Sequence, residues 1–209
     1  MRIAFLGDSI TEGCGASAEE FFYVNQVGKT LNAKVLNYGV GGTRIARQQK
    51  PSSPDFDHDF CERFSQMDDD AELVVVFGGT NDFGHGDAEI GELSDRTPDT
   101  FYGACHYLME GLIKKYPDST IVIMTPLHRC DEDNVTVRGE RKVRLVDYVN
   151  IIKEVAAYYS LPVIDLWSMS GIQPRVDIIK EKYCPDGLHP NDAGHELLAE
   201  RIGSFLLSL

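Results

Sequence analysis

"ELVVVFGG", residues 72–79, and "STIVIMTP", residues 119–126, decide the fold. Each is a short run, rich in β-branched residues and apolar at consecutive positions, so it has no polar face to turn to solvent. Such a strand belongs in the middle of a parallel sheet that is covered on both sides. The strands predicted here are 73–77 and 120–124, and three more runs read the same way at 2–6, 34–37 and 162–165.

Longer helical patterns lie between them. "AEEFFYVNQVGKTL" (18–31) follows the first strand, and "TPDTFYGACHYLMEGLIKKY" (97–116) precedes the fourth. "RKVRLVDYVNIIKEVAAYY" (141–159) carries Val143, Val146, Val149, Ile152 and Val155 near one helix face. "PNDAGHELLAERIGSFLLSL" (190–209) closes the chain, with Leu197, Leu198, Ile202, Phe205 and Leu206 as its apolar stripe and Asn191 or Asp192 as the cap. Strand–helix alternation with right-handed crossovers makes an α/β fold, a three-layer α/β/α sandwich. The 209 residues suit a single domain spanning 1–209, with no repeat and no Gly/Ser linker.

Composition narrows the function. Hydrophobic residues make up 43% and charged residues 25%, as in ordinary globular chains. A net charge of −13, from 33 acidic and 20 basic residues, repels polyanions, so no nucleic acid and no anionic membrane is expected as partner. No apolar run reaches the length of a membrane span, and "MRIAFLGDS" is too short for a signal-peptide core. The simplest expectation is a cytoplasmic protein, or one whose leader is absent from this chain. Cys14, Cys61, Cys105, Cys130 and Cys184 are odd in number and scattered, which fits reduced thiols better than a disulfide framework or a zinc site. A homodimer is compatible with this size, although no interface stripe stands out.

In open α/β sheets ligands bind beyond the carboxyl ends of the strands. After the first strand stands "GDSITEG" (7–13), after the second "NYGVGGTR" (37–44), after the third "GGTND" (78–82) and after the fourth "TPLHR" (125–129). Far away in sequence, "CPDGLHPND" (184–192) puts Asp186 three residues before His189 on a Gly/Pro-rich turn. That spacing sets a carboxylate against one ring nitrogen and leaves the other to take a proton from a hydroxyl. Serine at neutral pH needs such a base to attack a carbonyl, and Ser9 is the candidate nucleophile. The tetrahedral intermediate needs donors. The Ser9 N–H, a glycine N–H of the second turn and the Asn81 amide are candidates.

With these residues in view the sequence resembles the SGNH hydrolases, the GDSL family of esterases and lipases. "FLGDSITEG", "NYGVGGTR", "GGTND" and "DGLHPN" look like its four blocks, spread over the whole chain. The resemblance implies Ser9 as nucleophile, Asp186 orienting His189 as base, and an oxyanion hole from Ser9, Gly42 and Asn81, with Gly41 as the alternative to Gly42. It also implies a flavodoxin-like sandwich with a five-stranded parallel sheet, ester or thioester hydrolysis, and no cofactor. The chain reads GDSI where many members read GDSL, at an apolar position behind the nucleophile.

Other readings compete. Ser9-Ile10-Thr11-Glu12 has the spacing of a helix capping box. The glycine turns suit a phosphate, but no G-x-G-x-x-G follows the first strand and no G-K-[ST] occurs. Asp8 reads as a turn residue. His58 lies among Asp55, Asp57 and Asp59, which reads as a charged surface loop ahead of a metal site. His106 reads as packing and His195 as an exposed helix residue. Residues 44–60, 83–97 and 127–141 are polar and irregular, as loops that build sites often are. Arg44, His85 and His128 are candidate substrate contacts on them, with an ion pair the equal reading for Arg44. Without a long apolar stretch, these loops favour a short acyl group, such as acetyl, on a polar alcohol such as a sugar. Longer-chain thioesters or lipids, and a non-catalytic ligand-binding domain of the same fold, are the alternatives.

Overall fold

The computed structural model describes residues 1–54 and 56–209. Its strands are β1 (Arg2–Gly7), β2 (Lys34–Gly39), β3 (Leu73–Phe77), β4 (Thr120–Met124), a short hairpin of β5 (Thr136–Arg138) and β6 (Arg141–Val143), and β7 (Val163–Ile164). β2-β1-β3-β4-β7 form one parallel sheet, and β5 pairs with β6 antiparallel. This is the five-stranded parallel sheet of the sequence reading.

The helices that cover the sheet are α2 (Tyr23–Thr30), α5 (Phe101–Lys115), α6 (Leu145–Tyr158) and α9 (Asp192–Leu206). Short helical turns stand between them: α1 (Ser9–Glu12), α3 (Phe60–Arg63), α4 (Thr80–Gly84), α7 (Leu166–Met169) and α8 (Asp177–Tyr183). Strand side chains alternate between two cores. Ile3, Phe5, Leu73, Val75 and Phe77 pack with Val24 and Val27 of α2 and Leu198 and Ile202 of α9. Ala4, Leu6, Val74 and Val76 pack with Leu108 of α5 and Ile152 of α6. Apolar residues on both strand faces therefore require helices on both sides, which makes the three layers. Each fully buried Leu, Ile, Val or Phe contributes about 1.5–3 kcal/mol against the entropy of ordering.

The helix starts differ from the sequence expectation. The pattern over 141–159 begins as strand β6, and the helix begins only at Leu145. The Arg144 N–H donates to the Asp147 carboxylate at 2.7 Å, which closes the first turn there and frees Val143 to pair with Thr136. Within 18–31 the helix proper starts at Tyr23, after a single tight turn at Glu19–Phe21. Thr100 caps α5 by accepting from the Gly103 N–H, and Asn191 caps α9 by accepting from Gly194. The loop expected over 127–141 holds β5.

Register brings the site edge into line. Gly7 pairs with Gly39 and with Phe77, and Phe77 pairs with Met124, so β1 to β4 end level. The turns that follow them open on one edge of the sheet.

Candidate active site

At the end of β1, Asp8 caps α1. Its carboxylate accepts the Ile10 N–H at 3.0 Å, so Ser9 is the first residue of the helix and not its cap. The capping-box reading of Ser9 and Glu12 does not hold, because Glu12 turns its carboxylate to the Gly41 N–H at 2.9 Å. Ser9 Oγ lies 3.0 Å from His189 Nε2. His189 Nδ1 lies 2.7 Å from one Asp186 oxygen. The other Asp186 oxygen accepts the N–H groups of Leu188 and His189 at 2.8 and 2.7 Å. Partial burial pushes the Asp186 pKa up, but these donors outweigh it and hold it below the ordinary carboxylate value. Gly187 lets the turn close, with φ of +82° and Cys130 Sγ where a side chain would stand.

The second and third turns interlock beside Ser9. The Asn81 amide donates to the Thr43 carbonyl at 3.0 Å, which fixes its plane next to Gly42. Gly42 sits at φ +75°, and a side chain there would meet the Phe56 ring at 2.4 Å. The Ile45 and Ala46 N–H groups donate to the two Asp82 oxygens at 2.9 and 2.8 Å. Burial raises the Asp82 pKa to about 6 and that of Asp8 to about 7. Arg63, half-buried, reaches the Gly7 carbonyl at 3.2 Å, the Thr43 hydroxyl at 2.8 Å and the Tyr38 carbonyl, tying the ends of β1 and β2 to the glycine turn. Burial lowers its pKa to about 10. Sequence reasoning missed Asp82, Arg63 and Glu12 as supports, because their partners are groups of loops far away in the chain, most of them backbone N–H and carbonyl groups.

Arg44 is buried, only 1% exposed, and forms an ion pair with Asp57 at 2.5 Å. The ion pair, one of its two sequence readings, is formed. It also donates to His85 Nδ1 at 2.9 Å and to the Phe56 carbonyl at 3.0 Å. His128 stands on the loop after β4, with Nδ1 2.8 Å from Glu132 and its ring 3.8 Å from that of Trp167. The Cys130 N–H of this loop donates to the Gly187 carbonyl at 3.0 Å, which ties the loop after β4 to the turn that carries Asp186 and His189.

Three other histidines, His195, His106 and His58, take no part in the Ser9–His189–Asp186 series. His195 is fully buried, contrary to its expected exposure. Its Nδ1 accepts the Tyr23 N–H and its Nε2 donates to the Cys14 carbonyl, both at 3.2 Å, so it pins α2 and the turn after α1 to α9. His106 is buried, as expected of a packing residue. His58 is exposed beside Glu62, and its neighbour Asp55 lies outside the described residues. Among the described residues no group of three His, Cys, Asp or Glu side chains could hold a metal, and no helix is long and apolar enough to cross a membrane.

With this geometry in hand, the chain belongs to the GDSL-like lipase/acylhydrolase family, whose sequence profile matches residues 5–197. It is 30% identical over 149 residues to GDSL lipase Rv0518 of Mycobacterium tuberculosis, covering 71% of this chain and 54% of that protein. The chain thus spans about half the length of that curated relative. Among solved structures, one is 35% identical with a TM-score of 0.87, covering 100% of this chain and 96% of the other. A protein of Lactobacillus plantarum is 30% identical with a TM-score of 0.83, covering 99% and 96%.

Proposed function

We propose that the protein is a serine esterase that hydrolyses short-chain acyl esters, acetyl esters foremost, by two-step acyl transfer to water. The observation that carries this reading is the unbroken series Ser9 Oγ, His189, Asp186, with contacts of 3.0 and 2.7 Å. His189 Nε2 takes the Ser9 proton as Oγ attacks the ester carbonyl. Asp186 fixes the ring with Nδ1 protonated and stabilises the imidazolium. The collapsing intermediate expels the alcohol, which receives that proton from Nε2. Water, deprotonated by the same nitrogen, then attacks the acyl-serine, and Nε2 returns that proton to Ser9 Oγ as the carboxylic acid leaves.

Three donors serve the oxyanion. The Ser9 N–H lies in the first turn of a helix, where no intrahelical acceptor exists. Gly42 is favoured over Gly41, because the Gly41 N–H already donates to Glu12. The Asn81 amide uses one N–H on Thr43 and keeps its second for the substrate. The substrate is a small-molecule ester, and polar site loops favour a polar alcohol such as a sugar over a lipid. The test is hydrolysis of p-nitrophenyl acetate by the wild type, Ser9→Ala and Asn81→Ala. Loss of turnover in Ser9→Ala and a drop of roughly 10²–10³ in Asn81→Ala support the reading. Near-normal turnover in a folded Ser9→Ala protein sinks it.

A further inference from the structure

We propose that Phe56 and His85, joined by the buried Arg44, form a wall beside Gly42 that limits the acyl group to short chains. The inference rests on the hydrolase reading above and adds the residues that set its acyl specificity. Phe56 comes from the loop after the glycine turn and His85 from the end of α4, yet both converge on the same guanidinium. Arg44 donates to the Phe56 carbonyl at 3.0 Å, to the Asp57 carboxylate at 2.5 Å and to His85 Nδ1 at 2.9 Å. A buried charge is costly unless it is paired and hydrogen-bonded. Arg44 is both through its two terminal nitrogens, although its buried Nε has no partner among the described residues, and these contacts hold the two loops together.

The join also sets the chemistry of His85. A guanidinium can only donate, so Nδ1 is the lone-pair nitrogen and the ring proton sits on Nε2. Partial burial, then the charges of Arg44 and Arg129, lower the pKa of His85, which keeps this tautomer neutral. The wall therefore presents a neutral N–H donor and an aromatic ring. The ring lies against the Gly42 backbone, where a side chain would meet its Cδ1 at 2.4 Å, and its centroid is 6.0 Å from that of His85. Phe56 is nevertheless 43% exposed, unlike the aromatic residues of the core. A large apolar face held open beside a polar turn offers a methyl group a packing surface. An acyl chain of several carbons would have to push the ring off Gly42.

The test compares kcat/KM for p-nitrophenyl acetate, butyrate and hexanoate in the wild type, Phe56→Ala and Phe56→Trp. The wild type should prefer acetate. In Phe56→Ala the hexanoate-to-acetate ratio should rise by about tenfold or more, the scale of one methylene-sized change in a pocket. In Phe56→Trp the butyrate-to-acetate ratio should fall, and this variant carries the test if the alanine protein does not fold. A wild type that prefers hexanoate, or ratios unchanged within twofold in the folded variants, overturns the proposal while the esterase reading stands. A wild type inactive on all three esters overturns both.

Discussion

Asp8 shows how a single residue can support the site at a cost in stability. Its carboxylate caps the helix that begins with Ser9, yet it is buried, and burial raises its pKa from 3.8 to about 7. The folded state therefore holds the proton more tightly than the unfolded chain does. The stability from this group is fully present below the unfolded value and is lost as pH rises through about 7. Asp8→Asn keeps an acceptor for Ile10 and removes the charge. Its Tm should match the wild type near pH 4 and exceed it at pH 8, as thermal unfolding across that range would show; an equal gap at both pH values would contradict the assignment. At the other end of the site, Asp186 accepts three hydrogen bonds from the His189 turn. Asp186→Asn removes the charge that holds the imidazole tautomer, so kcat for p-nitrophenyl acetate should fall by up to about 10⁴ with Tm little changed.

Among the elements, legibility followed how local each signal is. The strands could be read because their apolar runs have no polar face, and all five lie within a few residues of their expected places. The polar turns after them could be read because sheet topology dictates where strands end. Helix starts were harder, since a single side chain decides them: Asp147 starts α6 at Leu145 and gives 141–143 to the hairpin. His195 misled because a polar residue in a helix usually faces water. Its true signal was position, for it shares a face with Leu198, Ile202 and Leu206. The supporting roles of Arg63 and Asp82 carry no sequence signal, because the carbonyl and N–H groups they bind come from turns far away in the chain. Since His195 ties three segments together, His195→Ala should leave the Tyr23 N–H and Cys14 carbonyl unpaired in a cavity. A loss of roughly 2–4 kcal/mol in unfolding free energy is expected by denaturant titration, and a loss below about 0.5 kcal/mol would mean α9 does not depend on it.

For the whole molecule, charge and core act in opposite directions. A net charge of −13 makes the folded state repel itself, and most of its ion pairs are too exposed to offset this. Salt screens exposed charges over a Debye length of about 10 Å at 0.1 M. Thermal unfolding in 10 mM against about 300 mM sodium chloride should therefore show a higher Tm at higher salt. A lower one would mean that the surface pairs matter more than the net charge. The sheet carries the site through all of this, because four strands end level and every proposed catalytic group stands on a turn beyond them or beside them.

The most direct test of the central claim is covalent. The protein is incubated with a fluorophosphonate, which reacts with a serine activated by a base, and the modified peptide is identified by mass spectrometry. One adduct per chain, on Ser9, abolished in His189→Ala while that variant remains folded, is the predicted result. Absence of an adduct on folded wild-type protein, or labelling of Ser9 that is just as fast without His189, would contradict the account.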